Sequence, residues 1–233
     1  MFAWFLTFED RVSDGARLGS AETARLVQLL KATRGLVRGL IFTPEHTRDP
    51  YADDGPSPGL ALELYFAELG ALEAALGRHG DLQALATSDV LSSFEHAAAT
   101  QQAMAARSFP VPDPHFANAP GELPCTYLVH YPGKADDLNE WLSYYIVHHP
   151  PVMARFPGIR EIEICTRLDW CGFLPWPRVE YMQRNKVVFD SAQALTSALN
   201  SPVREEMRAD FAKFPRFTGG SRHYALATLT VRP

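Results

Sequence analysis

Short apolar runs at residues 2–8, 36–43 and 60–66 are rich in β-branched and aromatic side chains and bounded by turn formers, so they predict strands. Between the first two, Leu26, Leu29, Leu30 and Thr33 recur at helical spacing, with Ser20 as the candidate N-cap and Gly35 as the stop. Leu69, Leu72 and Leu76 open a second helix. The order then returns. A strand is predicted at 126–131, a helix at 137–156 closed by Pro157-Gly158, strands at 159–167 and 179–189, a helix from 192 to about 211 and a last strand at 223–231. Between the two series lies SFPVPDPHFANAPGELP (108–124), whose five prolines exclude continuous helix and central strand. The opening run MFAWFLTFEDR has no basic segment and no small-residue cleavage site, and it reads as a strand rather than a leader.

The two series also share one register. YFAELGALEAAL and VFDSAQALTSAL align at a spacing of 123 positions, pairing Phe66 with Phe189, Ala71 with Ala194, Leu72 with Leu195 and Leu76 with Leu199. The same spacing pairs Gly35 with Gly158, Leu36 with Ile159 and Ile41 with Ile164 without a gap. A unit written twice is therefore expected, and it must be found before any fold is assigned. A β-α-β-β-α-β order gives a four-stranded antiparallel sheet with both helices on one face. The other face needs cover, and the second copy's sheet supplies it. The expected fold is α+β: two ferredoxin-like βαββαβ units packed sheet to sheet as a single-chain, pseudo-dimeric α+β barrel. Its parts are an N-terminal unit (1–110), a Pro-rich linker (111–123) and a C-terminal unit (124–233).

Composition narrows the function classes. Of 233 residues, 46% are hydrophobic, and 22 basic against 27 acidic side chains leave a net charge of −5 without a basic block. That balance argues against nucleic-acid and membrane-surface binding, and no window reaches the roughly 18 apolar residues of a membrane span. Cytoplasm is the expected compartment. Cys125, Cys165 and Cys171 form no C-x-x-C pair, so a disulfide framework and a structural metal are not expected. The absence of G-x-G-x-x-G, Walker, H-E-x-x-H and G-x-S-x-G patterns removes sequence support for nucleotide-dependent transfer, zincin and α/β-hydrolase chemistry.

The candidate chemistry sits on the helix at 137–156. Trp141, Tyr145 and His149 recur every four residues and form one stripe, with Tyr144 and His148 beside it. Histidine titrates near neutrality and can accept and return a proton without a metal, so His149 is the first candidate for a general acid or base. A structural alternative is that its ring satisfies carbonyls left open by Pro150 and Pro151. The same spacing carries His149 back to Leu26, Tyr145 to Glu22 and Trp141 to Leu18, which predicts one site per chain, in the second unit.

On the strands, His130 and His223 face either the barrel interior or the opposite side. Glu161, Glu163 and Cys165 share one face of their strand, toward the barrel seam, where Glu163 serves as acid or base or pairs with an arginine such as Arg38 or Arg184. The connection DWCGFLPWPR brings Trp170 and Trp176 into a stretch too apolar for an exposed loop, suited to a lid or to burial against a neighbour. The matching first-copy loop (43–59) is polar and is assigned no chemistry.

The run from Trp141 through His149-Pro150-Pro151, followed by Phe156-Pro157-Gly158-Ile159, resembles the W/Y-x-x-x-H-x-P … P-G helix of the EthD-like branch of the dimeric α+β barrel superfamily. VVFDSAQALTSALNSP is similar to that family's third strand and second helix. The resemblance covers most of 124–233 and implies a ferredoxin-like unit paired into a barrel, as monomer or homodimer. It also implies a small enzyme without cofactor acting on aromatic, lactone or polyketide-like compounds, although the wider superfamily includes haem enzymes. The resulting expectation is a lyase, isomerase or cyclase for a small aromatic molecule. In it His149, with His148 and Tyr145, performs catalysis, and Trp141, Tyr144, His130, Trp170, Trp176, His223 and Glu163 bind substrate. A ligand-binding or stress-associated barrel and a cofactor-free oxygenase are the alternatives.

Overall fold

The computed structural model describes residues 1–9, 17–47, 49–52, 54–87 and 89–233. Asp10 and Arg11 of the predicted first strand, and Arg48 and Asp53 of the loop 43–59, lie outside the described residues. The chain runs β1 (Phe2–Glu9), α1 (Ser20–Ala32), β2 (Leu36–Pro44), β3 (Leu60–Phe66), α2 (Leu69–Ala75), α3 (Ala84–Thr87) and β4 (Ala98–Phe109). It continues with β5 (Cys125–Tyr131), α4 (Leu138–Met153), β6 (Ile159–Arg167), β7 (Gln183–Phe189), α5 (Ala192–Leu199), α6 (Pro202–Phe211) and β8 (Arg222–Val231). The strands close into one ring in the order β1-β3-β2-β8-β5-β7-β6-β4, and every neighbouring pair is antiparallel. The result is a mixed α+β fold around a closed eight-stranded antiparallel barrel. No helix among the described residues is long and apolar enough to cross a membrane.

The pairing pattern recurs along the chain. Phe2 and Leu36 both face Phe66, and Cys125 and Ile159 both face Phe189, each 123 positions later. β2 and β6 carry the same irregularity after their first residue. Each follows a glycine in the left-handed region, Gly35 at φ +77° and Gly158 at φ +75°, a conformation that a Cβ would strain. Residues at this spacing also touch. Arg38 Nη1 donates to Glu161 Oε1 at 2.7 Å and Lys186 Nζ to Glu63 Oε2 at 3.1 Å.

Side-chain alternation gives each strand one face toward the lumen and one toward the helices. On β5, Cys125, Tyr127, Val129 and Tyr131 join the core under α4, α5 and α6, while Leu128 points into the lumen with Phe5, Leu40, Phe42 and Leu226. On β1, Trp4, Leu6 and Phe8 build the matching core under α1 and α2. The lumen also holds ions. Lys186 Nζ lies 2.5 Å from Glu163 Oε1, contacts the Tyr65 hydroxyl and reaches Glu63, with all four side chains buried. Burial beside a second carboxylate pushes Glu63 up, so it stays protonated. Glu163 is held low despite its burial by Lys186 and by the hydrogen bonds it accepts. One anion thus meets one cation.

Several element boundaries differ from expectation. Gly19, not Ser20, occupies the N-cap of α1, where its N–H donates to Glu22 Oε2 at 3.1 Å. The helix predicted over 192–211 breaks in two because Pro202 lacks an N–H and becomes the first residue of α6. β4 extends through Ser108 and Phe109 into the Pro-rich stretch, pairing them with Glu163 and Ile162. β7 begins at Gln183 rather than 179, because Val179 N–H donates to the Gln101 carbonyl of the first half at 3.0 Å.

Replacing Lys186 by Met should lower the unfolding free energy by about 3–5 kcal/mol, because it strands a buried carboxylate. The double variant Lys186→Met/Glu163→Gln should recover most of that loss in urea denaturation at pH 7.

Candidate functional site

The reach of two loops decides where a cavity exists. β2 pairs with β8 and β6 with β4, so each β2–β3 or β6–β7 connection projects over the other half of the barrel. The connection after β6 crosses onto the first half. Leu174 enters that half's core, Trp170 and Trp176 pack against it, and Trp176 meets Phe8 edge-on at 5.7 Å. Gln101 fixes the crossing: its Nε2 donates to the carbonyls of Leu174 (3.2 Å) and Trp176 (2.6 Å), and its Oε1 accepts from Trp4 Nε1 at 3.1 Å. Leu174, Trp170 and Trp176 thus occupy space against the first half's core. Trp170 and Trp176, expected as walls or lid of the His149 pocket, are plugs in the other half.

The reciprocal loop, 45–59, covers the second half less completely and leaves a cavity of about 310 Å³. The cavity lies between the β5–β7 surface and α4, α5 and α6, outside the barrel lumen. Its apolar wall includes Val129, Met153, Phe156, Phe189, Leu195 and Met207, and Tyr51, Ala52 and Asp54 enter from the first half. The polar first-half loop thus contributes where the sequence suggested no role. The mainly apolar and aromatic walls and the volume suit a molecule of roughly one or two rings. A porphyrin exceeds that space.

α4 places the predicted stripe. Asp137 caps it, its side chain accepting from Asn139 N (2.8 Å) and Glu140 N (3.0 Å). Trp141, Tyr145 and His149 are buried on one face at 0%, 0% and 4% exposure. Their rings stack in sequence, Trp141 on Tyr145 at 5.2 Å and Tyr145 on His149 at 4.7 Å. Tyr145 and His149 line the cavity, whereas Trp141 lies behind Tyr145 and braces it.

His149 does not turn back to the carbonyls opened by Pro150 and Pro151. Its Nδ1 is 2.6 Å from Asp210 Oδ2, and Tyr144 donates its hydroxyl to Asp210 Oδ1 at 3.2 Å. Burial pulls the His149 pKa below its ordinary value, outweighing the upward pull of Asp210. The bond to His149 in turn holds Asp210 below the usual carboxylate range. At neutral pH the pair is a neutral imidazole beside a carboxylate. With Nδ1–H donating to Asp210, the ring's free lone pair is on Nε2.

Other polar groups surround the cavity. Asn185 Nδ2 donates to the Tyr145 hydroxyl at 2.6 Å, and burial pushes the Tyr145 phenol well above its ordinary pKa, so it remains protonated. His223 lines the cavity, stacks on Tyr127 at 5.4 Å and pairs through Nδ1 with Asp54 Oδ2 at 2.8 Å. Asp49 accepts from Tyr127 Oη at 2.6 Å and Arg204 Nη2 at 2.8 Å, tying the covering loop to β5 and α6.

The remaining candidates stand elsewhere. His148 is exposed, with its ring 4.4 Å from that of Tyr144. His130 and Glu163 point into the lumen, because they occupy the alternate faces of β5 and β6. Glu63, Glu163 and Cys165 form the one group of His, Cys, Asp or Glu side chains at metal-ligand spacing among the described residues. The Lys186 ammonium already satisfies its carboxylates, and burial keeps the Cys165 thiol protonated. That donor set does not suit a metal ion. Asp210 was missed, although Val203, Met207 and Asp210 share the inward stripe of α6, and a carboxylate at an apolar-stripe position is a readable signal.

No family model matches the chain, and no curated protein matches it. Solved structures do. An anthrone oxidase-like protein superposes with a TM-score of 0.65 over 99% of this chain and 92% of its own, at 12% identity. A Fusobacterium nucleatum protein named as a monooxygenase gives 0.59 over 99% and 94%, at 10% identity. A chlorite dismutase variant from Candidatus Nitrospira defluvii gives 0.53 over 97% and 90%, at 12% identity. What the chain shares with these proteins is the fold of the α+β barrel.

Proposed function

We propose that this protein is a small-molecule enzyme in which His149, oriented by Asp210, removes a proton from a compact aromatic or related organic substrate. The observation that carries this reading is the His149–Asp210 pair, 2.6 Å apart, on the wall of a cavity lined mainly by apolar and aromatic side chains. A neutral imidazole with Nδ1 on a carboxylate is a competent base at Nε2, and the same carboxylate stabilises the imidazolium that forms. Tyr145, held as a phenol, donates a hydrogen bond to the substrate oxygen, and Asn185 Oδ1, which has no partner among the described residues, accepts one. Returning the proton to another atom of the substrate completes an isomerisation, and expelling a group from the anion makes the enzyme a lyase.

The chain is further read as a tandem duplication of an EthD-like unit, with units at 1–110 and 124–233 joined by 111–123, acting in the cytoplasm as monomer or homodimer. The 123-residue spacing shared by strand register, glycine turns and lumen contacts supports it. A second reading is a cofactor-free oxygenase, in which dioxygen captures the substrate anion. The oxidase-like and monooxygenase names of two structural neighbours favour testing it.

Turnover would first be sought with a panel of phenols, aromatic aldehydes, aromatic acids and lactones, with dissolved oxygen recorded in parallel. Product without oxygen uptake supports the lyase or isomerase, and stoichiometric uptake supports the oxygenase. On the substrate so found, His149→Ala should lower kcat/KM by at least about 100-fold with an unchanged circular dichroism spectrum. Unaltered turnover removes this residue from the mechanism.

The pH profile gives a separate test. Activity needs the neutral imidazole, so kcat/KM should rise with pH through a pKa below 6.5 and level off toward neutrality. Asp210 raises the His149 pKa, so Asp210→Asn should move that limb to lower pH and reduce the plateau. A limb that stays in place shows that Asp210 does not act on the base.

A further inference from the structure

At one mouth of the barrel lumen, Arg184 on β7 is fully buried with no carboxylate partner among the described residues. Its Nη1 is 3.5 Å from Thr7 Oγ1 and 3.4 Å from His130 Nε2, and the guanidinium carbon lies 4.7 Å and 4.8 Å from the ring centroids of Phe5 and Tyr181. Nε and Nη2 have no hydrogen-bond partner among the described residues. These two nitrogens form one edge of the guanidinium, the fork that grips a planar oxyanion with two parallel hydrogen bonds. An arginine buried without a counter-charge costs several kcal/mol. The other lumen cations are answered by carboxylates, Lys186 by Glu163 and Arg38 by Glu161. The residue 123 positions before Arg184 is Ala61, which offers neither charge nor bulk.

Arg184 borders a separate cavity of about 140 Å³, bounded also by Thr7, Thr100, His130, Tyr181, Arg222 and Tyr224, with Glu9 and residues 56–58 at its rim. Among the described residues two guanidinium groups face one carboxylate there, and His130, pushed well down by burial and by Arg184, is neutral. The Tyr224 hydroxyl is a further donor. We propose that this cavity is a binding site for one small, planar, monovalent oxyanion, gripped by the Nε–Nη2 edge of Arg184. The chemistry fits the carboxylate of a one- or two-carbon acid and equally an inorganic anion such as nitrate or bicarbonate. The site is distinct from the cavity at His149, since the β5–β7 surface separates them: Val129 and Asn185 face one, His130 and Arg184 the other.

Calorimetric titration of the full chain with formate, acetate, nitrate and chloride at constant ionic strength tests this. Saturable 1:1 binding of formate, acetate or nitrate is expected, with chloride at least about tenfold weaker because it cannot span the fork. Preference for formate and acetate identifies an organic carboxylate, and preference for nitrate an inorganic anion. Arg184→Lys keeps the charge and loses the fork, and should weaken binding at least about tenfold, whereas His149→Ala should leave it unchanged. Should the Arg184 variant fail to fold, Arg222→Gln at the rim provides the second readout and should also weaken binding. Absence of saturable binding, equal binding of chloride, or affinity that survives the arginine changes overturns the proposal.

Discussion

Closure of the barrel is the constraint on which the rest depends. A four-stranded sheet with helices on one side leaves its other side and both edges bare. Here each sheet covers the other, and β2 joins β8 while β4 joins β6, so no edge remains open. The central residues of the strands are then covered on both faces, and the period of two assigns each of them to the lumen or to a helix-covered core. That assignment decides the chemistry. The lumen receives the charges of Lys186, Glu163 and Arg184, and the surface under α4 to α6 receives Tyr145, His149 and Asn185.

The same closure makes the halves unequal in use. Because the long connections lean over the opposite half, the composition of each loop determines the space under its neighbour's helices. A tryptophan-rich loop packs its side chains into one half, and a polar one leaves a hollow beside His149. The counterparts of the α4 stripe agree with this division. Leu26 is fully buried, and Glu22 is occupied in binding Ser92 and Ser93, so the first half spends these positions on packing and on holding its own loop.

Much of the architecture was legible because it is written in periodicity. The strand runs, the Gly35 and Gly158 turns and the stripe of Trp141, Tyr145 and His149 are local patterns, and the structure places them close to where the sequence did. Long-range geometry was not legible. Nothing near Trp176 in sequence says that it will meet Phe8, and nothing in the loop 43–59 says that Asp54 will meet His223. Those contacts follow from which strands become neighbours on closure, a property of the whole ring. Asp210 is an intermediate case: its inward position on α6 was readable, its partner was not.

The tie from Asp49 to Tyr127 and Arg204, and from Asp54 to His223, has a consequence for how this molecule can change. Residues that line the hollow come from both halves of the chain, while His149 comes from only one. Substitutions in the early loop can therefore reshape the hollow and leave the His149–Asp210 pair untouched. The form of the hollow and the imidazole–carboxylate pair on its wall are free to diverge at separate rates.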